Sequence, residues 1–161
     1  MSSPESASAQ LIQVTDRLLN LLERTPDDRL TFRPSETSRS ILEIVAHCSE
    51  AMVNILSQMK GTPFHIPTSK EADAVFRVNN RTTLSREQAV SDLLSARQAI
   101  LDYYACVTES ELDKIVALPF GLGDVPARAF LDAPHLHTTG HVSQIEYIQT
   151  IFGDHDWHMG F

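Results

Sequence analysis

The chain has 161 residues, of which 42% are hydrophobic and 21% charged, and its formal net charge is −8 at pH 7. This length and composition are typical of one globular domain, which we expect to span residues 1–161. The acidic balance and the lack of any Lys/Arg cluster argue against a nucleic-acid partner, because phosphate binding requires a basic surface.

The first half of the sequence predicts two helices. Apolar residues at helical spacing predict the first helix over residues 6–24, and the segment TPDDRLTFRPSETS then breaks it. The second helix begins after Ser40, which stands three residues before Glu43 in the spacing of a capping box. A strong apolar stripe continues to Met59, and Gly61 and Pro63 end the helix.

A long polar connection over residues 61–83 separates the second helix from the third. Such a length is unusual in a compact domain, so we expect a short helix around residues 71–78 within it. Ser85 and Gln88 have capping-box spacing at the start of the third helix, which continues to Tyr104.

The segment IVALPFGLGDVP indicates an extended connection to the last helix. We predict this fourth helix over residues 124–152, with Pro126 in its first turn, a kink or break at Pro134, and Gly153 just beyond its end. No strand alternation of useful length is present. The sequence therefore predicts an all-α protein, a four-helix bundle.

The N-terminus and the cysteines predict a cytoplasmic protein. MSSPESASAQ has no basic segment followed by an apolar run, so we expect no signal peptide, and no apolar stretch approaches the roughly 20 residues of a membrane span. Cys48 and Cys106 both lie in apolar-periodic segments without CxxC spacing, which predicts two small core residues in a reducing compartment.

The segment HLHTTGH contains three of the chain's seven histidines. His137 and His141 fall on the predicted core stripe four residues apart, where a simple bundle would place leucine, whereas His135 is rotated away and is expected at the rim or surface. A buried imidazole without a partner costs about 1–3 kcal/mol. A divalent cation would satisfy both core rings at once.

His47 lies beside the apolar stripe of the second helix and offers a third ring. Helices in a bundle pack with their axes about 8–10 Å apart, so His47 could meet the pair on the last helix. Three protein nitrogens plus water form an open metal centre of the catalytic kind. The alternative is that each histidine is an ordinary core residue satisfied by a hydroxyl or carbonyl. We expect His65 in a loop, with an approach to the site as a lid left open, and His155 and His158 in a polar tail.

The segments RPSETSRSILEIVAHCSEAM, LPFG and HTTGHVSQIEYIQTIFG resemble the DinB-like superfamily of four-helix bundles, which includes the YfiT-like metal-dependent hydrolases. The last segment is similar to the family's His-x-x-x-His-x-x-Gln motif. The resemblance implies that His47, His137 and His141 are metal ligands, that Gln144 takes the glutamine position, and that the protein forms a homodimer. Characterised branches of the family use a metal ion to activate a small thiol.

The sequence thus favours a metal-dependent enzyme acting on a small molecule, with Zn or Ni held by the three histidines and water or a low-molecular-weight thiol as nucleophile. Gln144 is a candidate for orienting a ligand, and Glu43 is either a helix cap or a carboxylate behind His47. Asn54 and Arg97 are candidates for lining a pocket. Two other interpretations remain open: a non-catalytic metal-binding stress-response protein, and a metal-free helical interaction module.

Overall fold

Four long helices make up the body of the protein in a computed structural model that describes residues 2–83 and 85–158. Their bounds are α1 Pro4–Arg24, α2 Ile41–Met59, α4 Arg86–Cys106 and α6 Ala133–Ile151. Two shorter helices, α3 Ser69–Asn80 and α5 Glu109–Leu112, lie in the connections. The predicted four-helix bundle is therefore confirmed.

The long helices pack in the cyclic order α1–α4–α2–α6, so that α1 and α2, which are consecutive in the sequence, lie diagonally across the bundle. The connection between them, residues 25–40, crosses the end of the bundle and includes one short 3-10 turn, Asp27–Arg29. This order makes α2 and α6, which carry the candidate histidines, direct neighbours.

Side-chain caps fix where the helices begin. The Ser40 hydroxyl accepts from the Glu43 N–H and the Glu43 carboxylate accepts from the Ser40 N–H, which is the predicted capping box. Ser85 likewise accepts from the Gln88 N–H at the start of α4. The helix expected within the long polar connection is present as α3, and it begins at a Thr68 cap and packs against α2.

The segment before α6 differs from the prediction. The strands β1 Ile115–Ala117 and β2 Asp124–Pro126 form an antiparallel hairpin where we expected no strand and an early start of the last helix. A 3-10 turn over Ala127–Phe130 follows the hairpin, and α6 begins only at Ala133. Pro134 therefore lies in the first turn, where its missing N–H removes no helical hydrogen bond, and it neither kinks nor splits the helix.

Apolar side chains from all four long helices form the core. Its fully buried large members include Leu11, Leu18, Leu21, Leu22, Ile41, Ile44, Met52, Leu93, Ile100 and Ile145. Cys48 lies in this core as predicted, but Cys106 is exposed, because it is the last residue of α4 and lies beyond the buried stripe. Within residues 2–83 and 85–158, no helix has the length and apolarity needed to cross a membrane.

Candidate metal centre

The three candidate histidines converge at the contact between α2 and α6. One ring nitrogen from each of His47, His137 and His141 lies within 4.8 Å of the other two, and the Nε2 atoms of His137 and His141 are 3.1 Å apart. The ring centroids of His47 lie 5.1 Å from His137 and 4.9 Å from His141. The i, i+4 spacing on α6 thus places two rings together, and the bundle adds the third.

Gln144 orients one of these rings. Its Oε1 lies 2.8 Å from Nδ1 of His141, one turn earlier on α6. An amide oxygen can only accept, so Nδ1 of His141 carries the proton and donates it, and Nε2 keeps its lone pair toward the other histidines. In this protein the His-x-x-Gln motif therefore sets the tautomer of His141.

Burial keeps the three rings neutral. Desolvation lowers the pKa of His47 to about 3 and that of His137 to about 4, and it also lowers the pKa of His141, although the bond to Gln144 opposes that shift. The positive charge of Arg39 contributes to the lowering of each of the three pKa values. Neutral imidazole is the form that binds a metal ion.

One nitrogen of the cluster has no partner in the protein. His47 is 7% exposed, and its Nδ1 atom is buried without a hydrogen-bond partner among the described residues. His141 is hydrogen-bonded to Gln144 and to His137, whereas Nδ1 of His47 has no such bond to a described residue. A buried unpaired nitrogen is costly, so the protein alone does not account for this ring.

Glu43 serves the structure around the site. Its buried carboxylate accepts from Arg33 at 2.6 and 2.9 Å and from Arg81 at 3.3 Å, as well as from the Ser40 N–H. Burial alone would raise its pKa, but the hydrogen bonds from Arg33 and Ser40 lower it to about 2. Of its two expected roles, the helix cap is present, and its other contacts anchor the 25–40 connection and the residue after α3 to α2.

Several other sequence candidates lie away from the cluster. Arg97 bonds Thr15 and Asp16 on α1 rather than lining a pocket near the histidines. His135 is half-buried, with its Nδ1 atom 3.9 Å from Asp132, and so lies at the rim, one of the two positions expected for it. His65 is exposed in the loop before α3.

The C-terminal tail is not a free polar segment. Arg17 and Asn20 of α1 donate to the carbonyl of His158, and the imidazole of His158 lies 2.7 Å from Asp154. Neither His155 nor His158 belongs to the cluster. The described part of the chain contains no second group of histidine, cysteine and acidic side chains with comparable spacing.

A small apolar cavity borders the cluster, and we call it the aromatic cavity. It has a volume of about 160 Å³. Its wall is formed by His47, Ala51, Asn54, Ile55, Gln58, Phe64, Phe76, Pro119, Phe120 and His137. The expected contribution of Asn54 is thus present. Three larger clefts of about 450–540 Å³ lie elsewhere, and their described walls contain none of the three clustered histidines.

Three phenylalanines of the aromatic cavity were not found by sequence reasoning: Phe64 and Phe76 lie in the connection between α2 and α4, and Phe120 lies in the turn of the β1–β2 hairpin. Phe76 of α3 packs on His47 at 5.5 Å between ring centroids, and Phe64 contacts both Phe76 at 6.1 Å and Phe120 at 5.6 Å. The sequence signals were weak, since each is a single aromatic residue in a connecting segment. Only the folded chain places them side by side.

Phe120 has a backbone conformation that is rare for a bulky residue. Its φ is +60°, in the left-handed region, within the turn of the β1–β2 hairpin. That conformation costs roughly 1–2 kcal/mol for a residue with a Cβ atom. Strain of this kind persists where the surrounding structure holds it, and here the hairpin holds the Phe120 ring against Phe64.

Comparison with known proteins places this geometry in context. Residues 10–145 match the family model described as the DinB superfamily. By sequence, no curated protein matches the chain significantly.

Solved structures share the architecture at low sequence identity. YfiT from Bacillus subtilis, described as a probable metal-dependent hydrolase with an unusual four-helix bundle topology, is 14% identical with a TM-score of 0.74, and the match covers 95% of this chain and 90% of YfiT. A conserved protein from Enterococcus faecalis is 16% identical with a TM-score of 0.68 over 96% of this chain and 99% of its own. A DinB-like protein from Bacillus subtilis is 16% identical with a TM-score of 0.67 over 94% of each chain.

Proposed function

Since the chain belongs to the DinB superfamily and brings three neutral histidines to one point, we propose that it is a metal-dependent enzyme acting on a small molecule. In this proposal His47, His137 and His141 hold one divalent ion, Zn or Ni. The observation that carries the proposal is the convergence of three ring nitrogens within 4.8 Å of one another.

The donor set fits such an ion. Two nitrogens bound to one tetrahedral ion at about 2.0–2.1 Å lie about 3.3 Å apart, close to the 3.1 Å between Nε2 of His137 and Nε2 of His141. Zn and Ni both accept neutral imidazole, the form in which burial keeps these rings. No hydrogen bond among the described residues occupies the buried Nδ1 of His47.

An ion held by three protein nitrogens would supply an open position and lower the pKa of a bound water or thiol, creating a nucleophile at neutral pH. The protein contributes the arrangement around it. Gln144 fixes the tautomer of His141, and the aromatic cavity places apolar side chains beside His47 and His137. The nucleophile is either water, which makes the enzyme a hydrolase, or a low-molecular-weight thiol, which makes it an S-transferase.

The likeness to YfiT supports the hydrolase branch, because that protein is described as a probable metal-dependent hydrolase. The two other interpretations differ from this proposal in metal binding or in catalysis. A non-catalytic metal-binding protein would bind the ion but catalyse no reaction. A metal-free interaction module would bind no ion and catalyse no reaction. The homodimer and the cytoplasmic location stay predictions.

Metal content is the first test. Protein purified without a metal-affinity tag is expected to contain about one equivalent of Zn or Ni by elemental mass spectrometry, and His141→Ala is expected to contain almost none. His65→Ala removes a histidine from an exposed loop and should retain the full equivalent. Wild-type protein that binds neither metal when it is supplied would rule out the proposed centre.

Activity is the second test. Wild-type protein is incubated with low-molecular-weight thiols and electrophiles, and separately with ester and amide substrates, beside His141→Ala and His65→Ala. The proposal predicts turnover that is lost in His141→Ala and kept in His65→Ala. A full metal equivalent without turnover on either panel would favour the non-catalytic metal-binding protein.

A further inference from the structure

We propose that the aromatic cavity binds one end of the substrate, an uncharged ring-sized apolar group that carries a single hydrogen-bond donor, and that Gln58 accepts from this donor. The inference rests on the proposed function, because it treats the cavity wall formed by His47 and His137 as the side on which the reaction occurs. It adds the class of substrate, which the histidines do not define.

The size and lining of the cavity indicate the apolar group of the substrate. A volume of about 160 Å³ matches apolar cavities of about 150 Å³, which hold one benzene-sized molecule. Phe64, Phe76 and Phe120 contribute three aromatic rings to the lining of this space. A planar ring is the shape that such a lining contacts best.

The cavity wall also excludes charge. None of the described residues that line it is an aspartate, a glutamate, a lysine or an arginine. A charged group inside would lose its hydration and gain no counter-ion there. The occupant of the cavity is therefore uncharged.

Gln58 sets the polar part. This residue of α2 is 6% exposed and lines the cavity. Its Nε2 donates to the backbone oxygen of Asn54 at 3.2 Å, whereas its Oε1 is buried with no hydrogen-bond partner among the described residues. An amide oxygen can only accept, so the group that satisfies it is a hydroxyl or an N–H of the ligand.

Phe120 closes the cavity from outside the bundle. The β1–β2 hairpin turn holds its ring edge-on to Phe64 at 5.6 Å, through the left-handed backbone at Phe120. Removal of this ring opens the cavity without altering any of the long helices. Glycine also adopts a φ of +60° without strain, so Phe120→Gly separates ligand binding from folding.

The test compares two molecules of nearly equal shape, phenol and toluene, that differ in a single hydroxyl donor. Each is titrated into metal-free protein, and Kd is measured from amide chemical shifts by NMR. Both are expected to shift residues of the aromatic cavity, and phenol is expected to bind more tightly. In Gln58→Leu the ratio of the two Kd values should move at least about tenfold toward toluene, because the unpaired acceptor is gone.

Phe120→Gly provides the second arm. We expect both Kd values to rise at least about tenfold, with the melting temperature within a few degrees of wild type. Phe152→Ala is the matched control, because Phe152 is a half-buried phenylalanine that contacts Phe32 and does not line the cavity. Both Kd values should be unchanged in this control.

Three results would overturn the inference: phenol shifts that map outside the cavity, a phenol-to-toluene ratio unchanged in Gln58→Leu, or Kd values unchanged in Phe120→Gly. The titration uses metal-free protein, so these results stand whether or not the centre binds metal. A protein that binds phenol as expected but retains no metal would overturn the proposed function alone.

Discussion

The two halves of the bundle are built differently. Where α1 meets α4, the large fully buried side chains are leucine and isoleucine, such as Leu11, Leu18 and Leu93. Where α2 meets α6, equivalent core positions hold His47, half-buried His137 and His141. The first half stabilises the fold through apolar burial, whereas the second holds the three imidazoles that we propose as metal ligands.

This contrast separates the positions that stabilise the fold by apolar burial from the positions that we propose as metal ligands. Apolar burial contributes about 25 cal/mol per Å² without any requirement for a partner. Buried imidazoles contribute only when their nitrogens are satisfied, and one nitrogen of His47 has no hydrogen-bond partner in residues 2–83 and 85–158. Selection for folding alone would favour leucine at all three histidine positions.

The largest expected effect is on the pH dependence of the free energy of unfolding. This dependence should largely disappear when the three histidines between α2 and α6 are replaced by apolar residues. The three histidines have lowered pKa values in the folded protein, so below about pH 6.5 the unfolded chain binds protons first and the metal-free protein loses stability as pH falls. Each imidazole contributes about 1.4 kcal/mol per pH unit. Urea unfolding with chelator from pH 7 to pH 4 should show this loss in wild type and a much flatter profile in the triple variant His47→Leu, His137→Leu, His141→Leu.

A large cavity in the apolar half is the next effect. Leu18→Ala removes a fully buried side chain of α1 and should lower the free energy of unfolding by about 2–5 kcal/mol in urea titration. Ile12→Ala on the same helix is the control, because Ile12 is 40% exposed and should change that free energy by about 0.5 kcal/mol or less. The metal equivalent per folded chain should be unchanged in both variants, and its loss in Leu18→Ala would contradict the separation of the two halves.

Glu43 connects α2 to the 25–40 connection and to the residue after α3. Its substitution is expected to change the free energy of unfolding by a smaller amount, and this change is expected to depend on pH. Glu43→Gln replaces charge-assisted hydrogen bonds from Arg33 with neutral ones and should lower the free energy of unfolding by about 1.5–3 kcal/mol at pH 7. The folded-state pKa of about 2 means that the carboxylate's contribution is fully present above about pH 4.5 and disappears as pH falls toward 2. The difference between wild type and Glu43→Gln should therefore shrink over that range, while exposed Glu23→Gln shows no such change.

The smallest effect tests the residue that orients His141. Gln144→Leu removes the acceptor from Nδ1 of His141 and should weaken metal binding about 10–100-fold in a competition titration with a chelator. Gln13→Leu, at an exposed position of α1, should bind the metal as wild type does. Equal affinity in Gln144→Leu would show that the ring is oriented without this bond.

Local chemistry was sufficient to predict much of the protein. The Ser40 and Ser85 caps and the apolar stripes between them predicted α2 and α4, because each signal acts within a few residues of the chain. The step of four between His137 and His141 likewise predicted that their rings would meet. A local signal was wrong where a contact with another segment decided the structure. Pro126 suggested the start of a helix, but it pairs with Ile115 in the β1–β2 hairpin.

By itself, the sequence determined the four helices, their apolar faces and the pairing of two histidines on one helix, because helical periodicity and capping act over a few residues. Only the tertiary structure decided that His47 reaches that pair, and that Phe64, Phe76 and Phe120 line a cavity beside it. It also left Nδ1 of His47 without a hydrogen-bond partner in the described part of the chain. These residues lie up to 94 positions apart, from His47 to His141, and no local spacing encodes their distance. Their proximity comes from the diagonal arrangement of α1 and α2, which makes α2 the neighbour of α6.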